Sequence, residues 1–442
     1  MQFETLDKSR KFDRDYVYFE TEDELYEILK SNIQTISSGS RLSFAPFFLD
    51  KTATLISHKK FNKILNFDSK EKLIEVQSGC QLYEIQNFLL DFNYMIKIHP
   101  GWPTVTVGGS IANSIHGKNP YLDGTFGDIV HEIKIILPGE KNSIVASKDK
   151  NTEIFYNTIG GYGLTGTIVS AKLKTVKIFS NFFLEKIIEI DHFKDSVISQ
   201  LDNDKKIASY SWHDTILRNN KFGTGLLFEY YEVTDKNTTN YKKKISNIFD
   251  IQKIHQPINF FNSFTYEIVN IIYKKFKLLK KIKRIDIYSY LYPMMSFPIP
   301  YWFFFNGYKG FIEHQIIIPK EHYEPYFFEL KNLFYKHRMQ AYNSFLKLFN
   351  GKRNNLRFDG SGIAFSIEFL NDKKSHDFLK LVDEINCKYG AITALYKDSR
   401  ISKKTVIKQY GEEFHKFEKF IKRIDPKNFI KSNFKNKFFN SN

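Results

Sequence analysis

The 442-residue chain has two cysteines, three tryptophans and five methionines. Cys80 and Cys387 lie far apart, which excludes a disulfide framework or a cysteine-based zinc site and favours a reducing compartment. No apolar run reaches the roughly 20 residues of a membrane span. The most apolar stretch, Tyr288 to Phe305, is broken by Pro293, Pro298 and Pro300. The opening residues lack the apolar core of a signal peptide, so a cytoplasmic location is expected. There is no Gly-x-Gly-x-x-Gly turn between a strand and a helix, which argues against a Rossmann unit. Acidic residues are also in deficit, leaving a net charge of +16. Lys, Asn, Ile and Phe are abundant together, as AT-rich coding DNA would give. No zinc-finger spacing or RNP aromatic box is present, so nucleic acid is not expected as a partner.

What is present is a mixture of periods. Hydrophobic residues make up 42% of the chain, enough for a globular protein with more than one core. Thr54 to Ile56, Leu73 to Gln77, Ile129 to Leu137 and Gly166 to Val176 read as strands. Gln81 to Phe92 reads as an amphipathic helix. Further on, Ser209 to Trp212, Thr224 to Val233, Ile312 to Ile318 and Ile363 to Phe369 read as strands. Glu324 to Tyr335 and Lys374 to Cys387 read as helices, and the tail from Ile401 is basic and helical. The class is α+β, and the second half is expected to be an antiparallel sheet covered by helices.

Three turns rich in small residues stand out. Ser37 to Phe44 reads Ser-Ser-Gly-Ser-Arg-Leu-Ser-Phe, and Gly160 to Gly166 has four glycines in seven positions. Between them, Thr104 to Asn119 is a β-branched run, expected as a strand, that stops at Gly108 and Gly109 and leads to His116-Gly117-Lys118-Asn119. Backbone N–H groups in such loops can converge on an anion, and Arg41 can add charge. A Gly-rich loop is more often only a turn, but three at these separations point to one large cofactor.

On these residues the chain resembles flavin oxidoreductases with the bipartite, PCMH-type FAD-binding domain of vanillyl-alcohol oxidase and the aldonolactone oxidases. The residues that carry the resemblance are Pro100-Gly101, Thr106 to Gly109, Ile115 to Asn119, Gly124 to Gly127 and Gly160 to Gly166. Further on they are His314-Gln315, Ile318-Pro319, Ser344 to Lys347, Lys397 to Arg400 and Asp425-Pro426. The nearest branch oxidises a pentose linked to a polyprenyl phosphate. The resemblance implies an FAD-binding domain over 10–178, a substrate domain over 179–405 and a C-terminal segment, 406–442, that returns to the first. It also implies FAD contacts at Ser38, Gly39, Ser40, Arg41, Leu42, Ser43, Phe44, Gly101, Thr106, Val107, Gly108, Gly109, Asn113, Ser114, His116, Gly117 and Ile168.

Some relatives tether the flavin to a histidine in the first loop. Leu42 occupies that slot here and cannot form the bond, so non-covalent FAD is expected. His116 and Lys397 are the implied catalytic residues. His116 would hydrogen-bond the flavin or substrate, or take the hydroxyl proton. Lys397 would stabilise negative charge that develops during hydride transfer. The alternative for Lys397 is an ion pair with Asp398 or Glu412. Lys118, Gln315, Lys347, Ser366 and Lys397 are the implied substrate contacts; the alternative for Lys118 is a solvated loop lysine, and for Gln315 and Lys347 an ordinary sheet or helix surface residue. Ala364-Phe365-Ser366, Phe44 and Met294-Met295 depart from the family pattern, so the sugar need not be the same.

Glu267 to Ile285 places Ile268, Ile272, Phe276, Leu279 and Ile282 on one face at helical pitch. Lys274, Lys277, Lys281 and Arg284 fall on the other. This is the pattern of a helix lying in an anionic membrane interface, or of a packed surface helix with a solvated basic face. The expected activity is oxidation of a sugar secondary hydroxyl to a ketone, with a short-chain reductase as the expected partner in a 2-epimerisation. A lactone or alditol oxidase acting on a soluble sugar is the alternative enzyme. A non-enzymatic basic binder leaves the three loops without a purpose.

Overall fold

In the computed structural model of the protein, two sheet systems face each other across one cavity. The structure describes residues 2–5, 11–13, 16–31, 33–45, 49–201, 205–217, 221–233, 244–246, 248, 262–296, 309–398 and 400–440. The N-terminal part holds a parallel three-stranded sheet in the order Tyr16–Tyr18, Thr54–Ser57, Thr35–Ser38. Beside it lies an antiparallel five-stranded sheet in the order Ser143–Ser147, Val130–Ile136, Thr167–Lys174, Leu73–Gln77, Ile64–Asp68. The helix Leu82–Leu89 packs Leu82, Ile85 and Leu89 onto this sheet, as its apolar spacing predicts. A 3₁₀ turn, Leu90–Phe92, continues it, and Asn93 ends it in the left-handed region at φ 60°.

The second half is an antiparallel eight-stranded sheet. Its order is Ile282–Asp286, Phe182–Ile190, Gly225–Glu232, Ala208–His213, Ser344–Asn350, Ser361–Leu370, Phe311–Ile318, Ile392–Thr393. The mixed α and β elements and the antiparallel pairing agree with the sequence-derived class. Strand Phe311–Ile318 is buried along its whole length, and its two faces differ. Ile312, Ile316 and Ile318 pack under the helices Phe193–Leu201, Tyr323–His337 and Lys373–Lys388. Glu313 and Gln315 face the cavity. The tail helices Lys403–Tyr410, Glu412–Ile424 and Asn433–Phe438 bury Phe414, Phe417, Phe434 and Phe438 against Ile36, Leu55 and Leu164 of the N-terminal part.

Two local expectations are overturned. Thr104 to Val107 is not a strand. The Thr106 side chain caps the helix Val107–Asn113 by accepting from the Gly109 N–H at 3.4 Å. The Val107 and Gly108 N–H groups donate to the carbonyls of Cys80 and Ser78 at 2.9 and 2.8 Å. Capping and these tertiary bonds outweigh β propensity. Glu267 to Ile285 is not one helix either. The helix spans Ser263–Leu278, and Ile282–Asp286 forms an edge strand on Phe182–Ile190, because an open sheet edge offers it a full ladder of backbone bonds. Lys281 and Arg284 therefore leave the helical face. Smaller shifts occur at ends: Ile129 belongs to the helix Phe126–Ile129, and Val176–Lys177 pairs with Tyr94–Met95. Part of the Tyr288 to Phe305 stretch, 297–305, lies outside the described residues.

Candidate active site

A cavity of about 940 Å³ lies between the three loops and the inner face of the eight-stranded sheet. The first loop leaves strand Thr35–Ser38, and Arg41 turns it with φ 57°. The loop docks on the opposite half: the Ala45 N–H donates to the Tyr396 carbonyl at 3.2 Å, and Phe44 meets Phe311 edge-on at 5.3 Å. A Cβ on Gly39 would come within 2.2 Å of Thr106 Oγ1, so any larger residue requires Thr106 or the loop to shift. This close approach brings the first loop onto the N-terminus of the helix Val107–Asn113.

Ser114, at φ 44°, turns the chain out of that helix toward His116. The His116 ring packs on Phe349 at 5.2 Å. Its Nδ1 lies 3.1 Å from the Gly117 carbonyl, and its Nε2 lies 2.9 Å from Gln315 Nε2. A carbonyl can only accept, so Nδ1 carries the proton and Nε2 accepts from the Gln315 amide. Burial, then the charges of Lys347 and Lys397, push the imidazole down to about 3.

Lys347 Nζ donates to the same Gly117 carbonyl at 2.9 Å, and burial pushes its ammonium down to about 8. Lys397 Nζ pairs with Glu313 Oε2 at 2.7 Å and stands 4.3 Å from the Phe44 ring centroid. Neither Asp398 nor Glu412 is its partner. Asp398 instead bonds His314 Nδ1 at 2.9 Å and Arg400 at 2.9 Å, which hold it well below the usual carboxylate range. Ser366 Oγ donates to the other oxygen of Glu313. Lys118 Nζ sits between the rings of Tyr230 and Tyr290, at 4.6 and 4.3 Å, and burial drives it down strongly.

Of the implied FAD contacts, all but two line this cavity. Val107 is packed in the core, and Ser114 is buried with its Oγ on Thr125 Oγ1 at 2.9 Å, so neither side chain reaches it. All five implied substrate residues line it as well. Sequence reasoning missed Tyr210, Trp212, Glu313, Asn343, Phe345 and Glu368 on the sheet face, and His58 and Ser78 beneath the loops. The alternation in Phe311–Ile318 and Ser361–Leu370 was the available signal for the two glutamates.

The cavity fits a large, partly polar, partly flat group. Gly39 and Gly108 line it, and a Cβ there would meet Thr106 Oγ1 at 2.2 Å or Ser78 Cβ at 3.1 Å, so the two loops approach each other closely beneath it. Leu42, Trp102, Val105 and Ile168 supply apolar wall. Lys118 Nζ and Gln315 Oε1 are buried and have no hydrogen-bond partner among the described residues. Residues 15–142 match the family model described as FAD binding domain. The chain carries an FAD binding domain.

That domain is joined to a second half that also has relatives. The chain is 23% identical to decaprenylphosphoryl-beta-D-ribose oxidase of Mycolicibacterium smegmatis, over 80% of this chain and 78% of that one. It is 25% identical to D-arabinono-1,4-lactone oxidase of Candida glabrata, over 38% of this chain and 33% of that one. It is 29% identical to the cytochrome-linked mitochondrial D-lactate dehydrogenase 1 of Saccharomyces cerevisiae, over 35% and 28%. The last two matches cover about a third of those proteins. The chain is an FAD-dependent oxidoreductase related to these enzymes.

Proposed function

We propose that the protein oxidises a secondary hydroxyl of a sugar, a pentose in chemical class, carried on a polyprenyl phosphate. When bound, FAD supplies the acceptor for the hydride taken from the sugar carbon. The loops at Gly39, Thr106 to Gly109 and Gly163 to Ile168 hold it, and with Leu42 in the first loop they hold it without a covalent bond. Acid precipitation is then expected to leave the yellow colour in the supernatant.

The observation that carries the substrate reading is the helix Ser263–Leu278. Its Ile272 and Phe276 line the cavity and are 61% and 64% exposed. Phe264, Ile268, Ile271 and Leu279 extend the same apolar surface outward. Lys277 also lines the cavity, and Lys274 pairs with Glu189 at 2.7 Å. A sugar set against Gln315, Lys347 and Lys397 would direct its phosphate toward Lys118 and Lys277. Its lipid would then run out along the apolar face. Among the described residues no helix is long and apolar enough to cross a membrane, so contact through this helix would be peripheral. The cytoplasmic face is the proposed location, and the class of reaction that consumes the ketone is a reduction by a separate short-chain reductase, completing a 2-epimerisation in surface-glycan synthesis.

The similarity to D-arabinono-1,4-lactone oxidase favours a second reading, oxidation of a soluble sugar lactone or alditol. Anaerobic titration of the flavin spectrum separates the two. Bleaching by a prenylphosphoryl pentose at concentrations where free pentoses, alditols and lactones do nothing supports the first; the reverse order supports the second.

A further inference from the structure

Oxidation of a hydroxyl releases a proton as well as a hydride, and the inference here rests on the oxidation reading above. His116 is poorly placed to take that proton, because its only free lone pair already accepts from Gln315 at 2.9 Å. The sheet offers another group. Glu313 and Glu368 are direct cross-strand partners in the antiparallel pair Phe311–Ile318 and Ser361–Leu370, and both face the cavity. Opposed side chains on one face have Cβ atoms about 5 Å apart, where two ionised carboxylates repel.

The surroundings decide which one carries the charge. Glu313 has the Lys397 ammonium at 2.7 Å on one oxygen and the Ser366 hydroxyl on the other. Glu368 bonds the Asn343 side chain, and burial and the Glu313 charge raise it against the smaller opposing effects of Lys397 and that bond. Glu313 is therefore the carboxylate and Glu368 the neutral acid. Other titratable groups around the pair are Lys347 on the neighbouring strand, His116, Tyr266 and Tyr396. Both lysines are engaged as donors, Lys347 to Gly117 and Lys397 to Glu313. A carboxylate has about four lone-pair sites, and two on Glu313 are used, so it can accept a further hydrogen bond from a substrate hydroxyl.

We propose that Glu313 is the catalytic base of the oxidation, with Glu368 as the positioning residue that sits beside it in neutral form. The substrate C–H bond breaks with its electron pair passing to FAD as hydride. The O–H bond breaks with its proton passing to the Glu313 carboxylate, and the carbonyl forms. Bound FAD would supply the two-electron acceptor for the pair that the sugar loses.

The test pairs kinetics with a readout that needs no turnover. With a short-chain prenylphosphoryl pentose as probe, Glu313→Gln should keep its FAD and bind the probe within a few-fold. Its anaerobic bleaching should slow by about 10²-fold or more and lose the decline at low pH. Isotope-edited infrared spectra of glutamate-labelled protein should show a protonated carboxyl at neutral pH that disappears in Glu368→Gln. In Glu313→Gln that carboxyl should titrate at lower pH, since the opposing charge is gone and Lys397 is released. Bleaching of Glu313→Gln at the wild-type rate, or a decline at low pH that vanishes instead in His116→Asn, would overturn the assignment. So would a Glu368 titration that Glu313→Gln leaves unmoved. If wild-type protein is bleached by no sugar at all, the oxidation reading fails, while the infrared titration still tests the pair.

Discussion

Lys397 Nζ and Glu313 Oε2 lie 2.7 Å apart, although 84 residues separate them in the chain. The pair ties the segment after strand Ile392–Thr393 to the middle of strand Phe311–Ile318 and stands against Phe44 of the first loop. Lys397→Met should remove the fixed cation paired with Glu313 in the cavity and slow anaerobic flavin reduction by about 10²-fold or more. It should also cost a few kcal/mol of stability, about 3 at most, because a buried carboxylate loses its partner. Stopped-flow bleaching and urea unfolding measure the two effects separately. Equal rates in Lys397→Met and wild type would remove Lys397 from the chemistry.

Lys347 should give the cavity an alkaline pH dependence. Its ammonium is pushed down to about 8, so it is charged at neutral pH and loses its charge as pH rises through that value. Affinity for an anionic ligand in the cavity should weaken by about tenfold between pH 7 and pH 9, the equivalent of one pKa unit of interaction. Calorimetric titration in wild type and Lys347→Met checks this, with a flat profile expected for the variant.

Phe264, in the first turn of the helix Ser263–Leu278, and Leu279, its C-cap, are 66% and 77% exposed, and neither lines the cavity. The double variant Phe264→Asp, Leu279→Asp should lose co-sedimentation with vesicles containing anionic lipid. Its FAD content should be unchanged. Binding of the wild type should also fall with added salt, since basic residues contribute to attraction. Undiminished sedimentation of the double variant would argue that this face has another use.

Gly39→Ala tests how the first loop meets the second. The added methyl would lie 2.2 Å from Thr106 Oγ1, so either Thr106 turns its hydroxyl off the helix cap or the loop and the helix Val107–Asn113 separate. The variant should purify with substoichiometric FAD, read from the ratio of flavin to protein absorbance. Full loading would show that the close approach is not needed to hold the cofactor.

Acid should destabilise the protein before its carboxylates titrate. His58, His99 and His213 are buried and neutral, and burial pushes them down to about 4, 3 and 4. The unfolded chain takes up protons on these rings near 6.5, while the folded protein does not. Their contribution is therefore complete above pH 6.5 and is lost as pH falls toward 4, by roughly 1.4 kcal/mol per unit for each ring. Urea midpoints at pH 7.5 and pH 5 should differ in that direction, and His213→Gln should reduce the difference.

The ends of the regular elements were largely legible where one period dominated. Leu82, Ile85 and Leu89 marked a helix, and the alternation of Ile363 to Phe369 marked a strand with two unlike faces. Reading failed where a tertiary partner decided the outcome. Thr104 to Val107 has strand residues, but the Cys80 and Ser78 carbonyls and the Thr106 cap draw the chain into a helix. Ile282 to Ile285 continues a helical pattern, but the edge of Phe182–Ile190 takes it as a strand. Gly39 and Gly109 were legible because small residues mark a loop, whereas Thr106 was named only through the family resemblance and its capping role was not read. Glu313 and Glu368 were not, because opposition across two strands depends on a register that only the paired sheet fixes.

The sequence by itself pointed to one large cofactor, through three loops of small residues and the family resemblance that they carry. It also determined which strands are two-faced, since a period of two is written into the residue order. Tertiary structure alone decided that the polar face of one sheet closes over those loops. It also decided that His116 is held by Gln315, that Lys397 belongs to Glu313, and that two glutamates 55 positions apart share one stretch of cavity wall. Local sequence fixes what a backbone can do within a few residues. Which charges meet in a low-dielectric cavity depends on contacts between segments far apart in the chain, 84 residues for Lys397 and Glu313, and those exist only once the chain has folded.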